Sequence, residues 1–87
     1  MCTMAKKIAC QITFLPIVSK DYLSEIHHVI AMIKASKVEY NIGMLSTEIK
    51  GEKDEVFKLI KMIYDAMEER CDFSMDVKYS NVCGQKH

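Results

Sequence analysis

The stretch Val38-Glu39-Tyr40-Asn41-Ile42-Gly43-Met44-Leu45-Ser46-Thr47-Glu48-Ile49-Lys50-Gly51 decides the fold of this chain. Val38, Tyr40 and Ile42 alternate with polar neighbours, the period of a half-buried strand, until Gly43 interrupts it. Ser46 to Lys50 alternates again, with Thr47 and Ile49 on one side and Ser46, Glu48 and Lys50 on the other. Two strands around the Gly43-Met44-Leu45 turn make an antiparallel hairpin. The flanking segments determine what that hairpin belongs to.

Upstream, Ser19 to Ser36 has a helical period. Tyr22, Ile26, Val29, Ile30 and Ile33 fall on one stripe with Leu23 at its edge. Ser19 or Asp21 is placed to cap the start by accepting a backbone N–H. His28 and Lys20 project away from the stripe, while His27 and Lys34 flank it. Further upstream, Ile8, Cys10, Ile12 and Phe14 alternate with Ala9, Gln11 and Thr13. This predicts a strand from Lys7 to Leu15, ended by Pro16, which has no N–H for a ladder.

Downstream, Gly51 with Glu52, Asp54 and Glu55 suits a helix N-terminus, where the dipole favours negative charge. The helix is expected to run to about Arg70. Val56, Ile60, Ile63, Tyr64 and Met67 form its buried stripe, and Cys71 continues that face. Phe73, Met75, Val77 and Tyr79 then alternate with Ser74, Asp76, Lys78 and Ser80 as a last strand. Asn81 to His87 reads as a polar, frayed tail. The order βαββαβ, with two right-handed crossovers, places both helices on one face of a four-stranded antiparallel sheet. This is an α+β, ferredoxin-like sandwich, a single domain over 1–87 with its core in 7–83 and flexible ends at 1–6 and 84–87.

Composition agrees with one small soluble domain. The chain has 87 residues, 49% hydrophobic and 28% charged, enough apolar surface to offset the entropy of ordering. Twelve Lys and Arg balance twelve Asp and Glu, which argues against a dedicated nucleic-acid module and favours self-association. Lys6 and Lys7 before the uncharged run to Ser19 imitate a signal peptide, but Gln11, Thr13 and Pro16 interrupt the apolar part and no cleavage site follows. The run is also too short to span a bilayer. The protein is expected to be cytoplasmic, with Cys2, Cys10, Cys71 and Cys83 reduced. None of them forms a C-x-x-C pair, which removes the main signal for zinc or redox chemistry.

With both helices on one side, the other sheet face is open. By parity it carries Ala9, Gln11 and Thr13, then Glu39 and Asn41, then Ser46, Glu48 and Lys50, and finally Asp76, Lys78 and Ser80. The face is either simply solvated or, since Ala9, Gln11, Thr13, Asn41 and Ser46 are short and uncharged, covered by a second copy with a small ligand enclosed at the edge. Phe14, Tyr40 and Phe73 share parity with the core, against a base-stacking RNA-recognition surface. The segment after the first strand has neither Gly nor Arg to hold phosphate as an acylphosphatase does. His27 and His28 point about 100° apart on a helix and do not share a metal. No paired carboxylate site is visible, and Cys83 has only His87 near it in sequence. No catalytic residue and no metal site are expected.

Residues 39–51 followed by Glu55-Val56-Phe57 resemble the small thiamine/hydroxymethylpyrimidine-binding domains related to YkoF. Gln11-Ile12-Thr13-Phe14-Leu15-Pro16, Asp21-Tyr22 and Asn81-Val82-Cys83 are similar to other parts of that pattern. The family's usual Pro after the last Cys is Gly84 here. The resemblance implies a ferredoxin-like, cytosolic, non-catalytic binder of thiamine or its pyrimidine half, serving vitamin B1 salvage or transport. It also implies a homodimer or homotetramer formed through the sheets, and a link to a vitamin transporter. The ligand replaces any cofactor, and neither nucleic acid nor a membrane is a partner.

An aminopyrimidine presents ring acceptors and an amino donor. Ser46, Thr47, Asn81 and Gln11 each both donate and accept, and meet such edges. Thr13 shares the open face with Gln11. Tyr40 or Met44 packs on a ring face, and Glu48 or Asp76 balances a thiazolium cation. The alternative reading is an oligomerisation or regulatory module with a different small ligand or none.

Overall fold

A computed structural model describes residues 7–17 and 20–81. Its elements are β1 (Lys7–Ile17), α1 (Tyr22–Ala35), β2 (Glu39–Ile42), β3 (Thr47–Glu52), α2 (Lys53–Glu68) and β4 (Asp72–Ser80). The strands form one antiparallel sheet in the order β2-β3-β1-β4. The core joins Ile8, Cys10 and Ile12 of β1 and Ile49 of β3 to Val29 and Ile33 of α1 and to Val56, Leu59, Ile60, Ile63 and Met67 of α2. Both helices therefore cover one sheet face, as the ferredoxin-like fold requires. Ser19 as a cap, the thiols of Cys2 and Cys83, and the termini expected to be flexible lie outside the described residues.

The central hairpin forms where the alternation places it. Glu39 pairs with Lys50, Tyr40 with Ile49, Asn41 with Glu48 and Ile42 with Thr47. The Gly43 N–H closes the turn by donating to the Ser46 carbonyl at 2.9 Å. Asp21 caps α1, its carboxylate accepting from the Ser24 N–H at 3.2 Å. That bond satisfies one of the donors a helix start leaves open.

Pro16 does not end β1. The strand runs on to Ile17, pairing Leu15 with Ser74, Pro16 with Phe73 and Ile17 with Asp72 of β4. Pairing with β3 stops earlier, at Ile12 opposite Thr47. Beyond that point one flank of β1 carries no strand among the described residues, and there a residue without a donor N–H is tolerated.

Gly51 is not at the start of a helix. It lies inside β3 opposite Ile8, and α2 begins only at Lys53. A Cβ at Gly51 would stand 3.1 Å from Val38 Cγ1, so the close approach of the buried Val38 explains the glycine. Glu52 precedes α2 without a side-chain cap, and Asp54 and Glu55 supply the negative charge of the first turn.

The buried stripe of α1 is rotated from the one the apolar residues suggest. Glu25, Val29 and Ile33 face inward, whereas Tyr22 and Leu23 are exposed and Ile26 and Ile30 are half-buried. The rotation has an electrostatic cause: the Glu25 carboxylate accepts from Arg70 Nε at 2.7 Å, joining α1 to the turn after α2. It also exchanges the histidines, leaving His28 half-buried and His27 exposed. On α2, Leu59 is buried and Tyr64 is half exposed, its ring edge-on to Phe73 with centroids 5.2 Å apart.

Candidate functional site

Register turns the open face into a grid. Across it, one row reads Glu39, Lys50, Ala9, Ser80, and the next reads Asn41, Glu48, Gln11, Lys78. The neighbouring position on β1, Thr13, pairs with Asp76. Because side chains alternate, Cys10 and Ile49 between these rows turn into the core. These two rows line a concave depression of about 520 Å³, with the Cys10, Ile49 and Tyr40 positions at its floor. That volume suits a small organic ligand.

Ala9 explains the hollow. It is the smallest side chain of its row and stands directly between Lys50 and Ser80. Around it the rows provide four polar types: the ammoniums of Lys50 and Lys78, the carboxylates of Glu39 and Glu48, the amides of Gln11 and Asn41, and the Ser80 hydroxyl. The Gln11 amide is oriented by donating Nε2–H to Ser46 Oγ at 3.2 Å, so the hairpin end of the face is tied to β1.

The structure brings some of the expected ligand residues together. Gln11 and Tyr40 line the depression, and Ser46 joins it through Gln11. Tyr40 stands opposite Ile49 and shares that residue's parity, which puts its ring on the helix side of edge strand β2. Thr47 pairs with Ile12, shares the parity of Ile49 and is half-buried, so it departs from Ser46 and Gln11. Thr13 and Met44 are exposed and do not line the depression; Met44 projects fully from the turn. Asn81 follows the lining residue Ser80 and is itself exposed. Asp76 pairs with Thr13, one row away from the hollow.

Lys50, Lys78, Asn41 and Ser80 belong to the lining although sequence reasoning had not singled them out as ligand contacts. The signal was present in their parity, which places all four on the open face. What parity alone lacks is register, and register decides which open-face residues surround Ala9.

Beneath the floor, Cys10 is buried, and burial pushes its thiol up to about 11. It is protonated at neutral pH and unsuited to nucleophilic attack from the hollow. Among the described residues no group of three His, Cys, Asp or Glu side chains is arranged to hold a metal ion. No helix among them is long and apolar enough to cross a membrane.

The model of the YKOF-related family matches residues 7–84, the whole sheet and both helices. The chain belongs to the YkoF-related family. This member shares its fold with a Thermotoga maritima protein provisionally described as a thiamine biosynthesis/salvage protein. The TM-score is 0.80 at 20% identity, over 93% of this chain and 89% of that one. A Streptococcus pneumoniae protein aligns with a TM-score of 0.77 at 26% identity, covering 85% of this chain and 84% of its own. A domain of unknown function from Bacillus cereus also gives 0.77, at 20% identity over 91% of this chain and 79% of its own. Comparison with curated proteins gives no match. The YkoF-related chain is thus placed by family and by fold.

Proposed function

We propose that the open face binds thiamine or its hydroxymethylpyrimidine half, without catalysing a reaction on it, in the salvage or transport of vitamin B1. The observation that carries this reading is the depression over Ala9, lined by Gln11, Asn41 and Glu48. An aminopyrimidine offers an amino donor and ring-nitrogen acceptors. Glu48 accepts from the amino group, and the two carboxamides complement both kinds of edge. Support from outside the chain comes from its family and from the Thermotoga relative of like fold described under thiamine biosynthesis/salvage. In this reading the protein is cytoplasmic and cooperates with a vitamin transporter. Two or four copies associate through the open faces and enclose the ligand between them.

Mass action supplies the test. A ligand that binds only the native state at about 100 times its Kd stabilises by about 2.7 kcal/mol. For a domain of this length that is a rise in Tm on the order of 10 °C. Thiamine or hydroxymethylpyrimidine is expected to give such a shift together with a calorimetric heat. Asn41→Ala with Glu48→Ala is expected to weaken binding at least about tenfold, the equivalent of 1.4 kcal/mol, without lowering the Tm of the free protein. If neither compound moves the melt nor releases heat, the ligand assignment is wrong.

A further inference from the structure

The charges around the hollow contain more information than the presence of a ligand. Lys50 and Ser80 stand opposite Ala9 on its two sides, and Lys78 stands opposite Gln11, one step along β1 on the same face. Adjacent strands lie roughly 4.8 Å apart, so the two lysines stand on strands either side of β1, and both line the hollow. Among the described residues the ion pairs are Lys61–Asp65 and Arg70–Glu25, and neither involves the hollow. Lys50 and Lys78 thus present two ammonium groups to one small cavity, with no carboxylate bound to either.

A ligand carrying only positive charge uses one half of that arrangement and leaves the two ammoniums without a partner. Its cation finds Glu48 but also shares a concave surface with two ammoniums, and like charges at close range oppose binding. An inorganic anion is a poor match, because Glu39 and Glu48 line the same surface. A ligand with a heteroaromatic amine at one end and a dianion at the other satisfies both halves. Its amine lies along Asn41, Glu48 and Gln11, and its anion lies over Ala9 between Lys50, Lys78 and the Ser80 hydroxyl. A phosphate monoester fits the second half, since it carries about −1.5 to −2 charge at neutral pH and offers three acceptor oxygens. Charge-assisted bonds from ammonium groups to such oxygens are the strong kind.

We propose that the hollow over Ala9 takes its ligand as a phosphate ester, with Lys50 and Lys78 holding the phosphate and Glu48 the amine. The proposal rests on the assignment of the open face to ligands of the vitamin B1 group, and it selects their phosphorylated form.

The test compares thiamine, thiamine monophosphate and inorganic phosphate by calorimetry on the full chain at low and at physiological salt. Thiamine monophosphate is expected to bind at least about tenfold more tightly than thiamine, with the advantage shrinking as salt screens the charges. Lys50→Gln and Lys78→Gln, made singly and together, are expected to remove that advantage and leave thiamine binding equal or improved. Lys58→Gln, an exposed lysine on α2, is expected to change nothing. Equal or tighter binding of thiamine by the unaltered protein overturns the phosphate assignment while the vitamin assignment stands. Binding of inorganic phosphate as tight as that of the ester overturns it as well, since it reveals an adventitious ion only. If neither thiamine nor its phosphate binds, both assignments fall. Unchanged Tm values in the lysine variants exclude unfolding as the cause of a lost preference.

Discussion

Cys10 shows how one side chain records its position. It lies in the core at 3% exposure, and burial moves its thiol from 9.0 up to about 11. In the unfolded chain the same thiol ionises near 9. Below that pH both states keep the proton, so the fold retains its full stability. Between pH 9 and 11 the unfolded state gives up the proton first, and stability falls as pH rises. Two units correspond to a loss of about 2–3 kcal/mol by pH 11. Tyr79, paired with Cys10 across the sheet, is pushed up by its own burial and then by the Cys10 charge, so it adds loss in the same direction. Urea midpoints measured from pH 8 to 11 are expected to decline above 9, and Cys10→Val is expected to flatten part of that decline. A midpoint that stays constant through pH 10.5 contradicts the assignment. Gly51 illustrates the opposite limit of legibility. As a residue type it suggests a break before a helix, but its cause is a contact with Val38 thirteen positions away, which local pattern does not contain.

At the scale of elements, period two and period 3.6 were sufficient to place four strands and two helices; most apolar sets face one core, whereas β2, with Tyr40 and Ile42 exposed, was legible from alternation and its turn alone. They were insufficient to set the rotation of α1. A glutamate inside an apolar stripe reads as a position on the solvent side. Here Glu25 turns inward because Arg70 meets it, and the two lie 45 residues apart. Glu25 is 12% and Arg70 37% exposed at the side chain, so the pair is partly desolvated and tethers α1 to the end of α2. Breaking it from one side leaves a charge with reduced hydration. Glu25→Ala is expected to cost about 1–3 kcal/mol in urea unfolding. Replacing both residues by methionine is expected to recover most of that, since apolar pairs of similar volume substitute well for partly buried ions. A cost below about 0.5 kcal/mol for Glu25→Ala identifies the pair as an ordinary surface contact of negligible worth. The Lys61–Asp65 pair on α2, exposed on both sides, gives the comparison, and its removal is expected to leave the urea midpoint unchanged.

For the whole molecule, the layer arrangement followed from element order, and the composition of the open face followed from parity. The pocket did not, because its shape comes from the register that sets Ala9 between Lys50 and Ser80. Hydroxyls near the hairpin drew attention in the sequence, whereas the hollow is bounded largely by amides and charges. The same face is the one proposed to associate with a second copy. A stable pair of copies needs roughly 800 Å² from each partner. Sedimentation is expected to show a dimer or tetramer, reduced to monomer by Ala9→Arg, which sets a bulky charge at the centre of the face. A monomer for the unaltered chain at micromolar concentration contradicts face-to-face assembly. The run of β1 past Thr47 adds a restriction on growth. From Thr13 to Ile17 that strand pairs, among the described residues, with β4 alone, and a strand flank without a ladder partner is the kind of border along which sheets fuse into fibres. Pro16 sits within that stretch and lacks the amide hydrogen an incoming strand needs. One imino acid thus acts as a gatekeeper against lateral, open-ended fusion along that stretch.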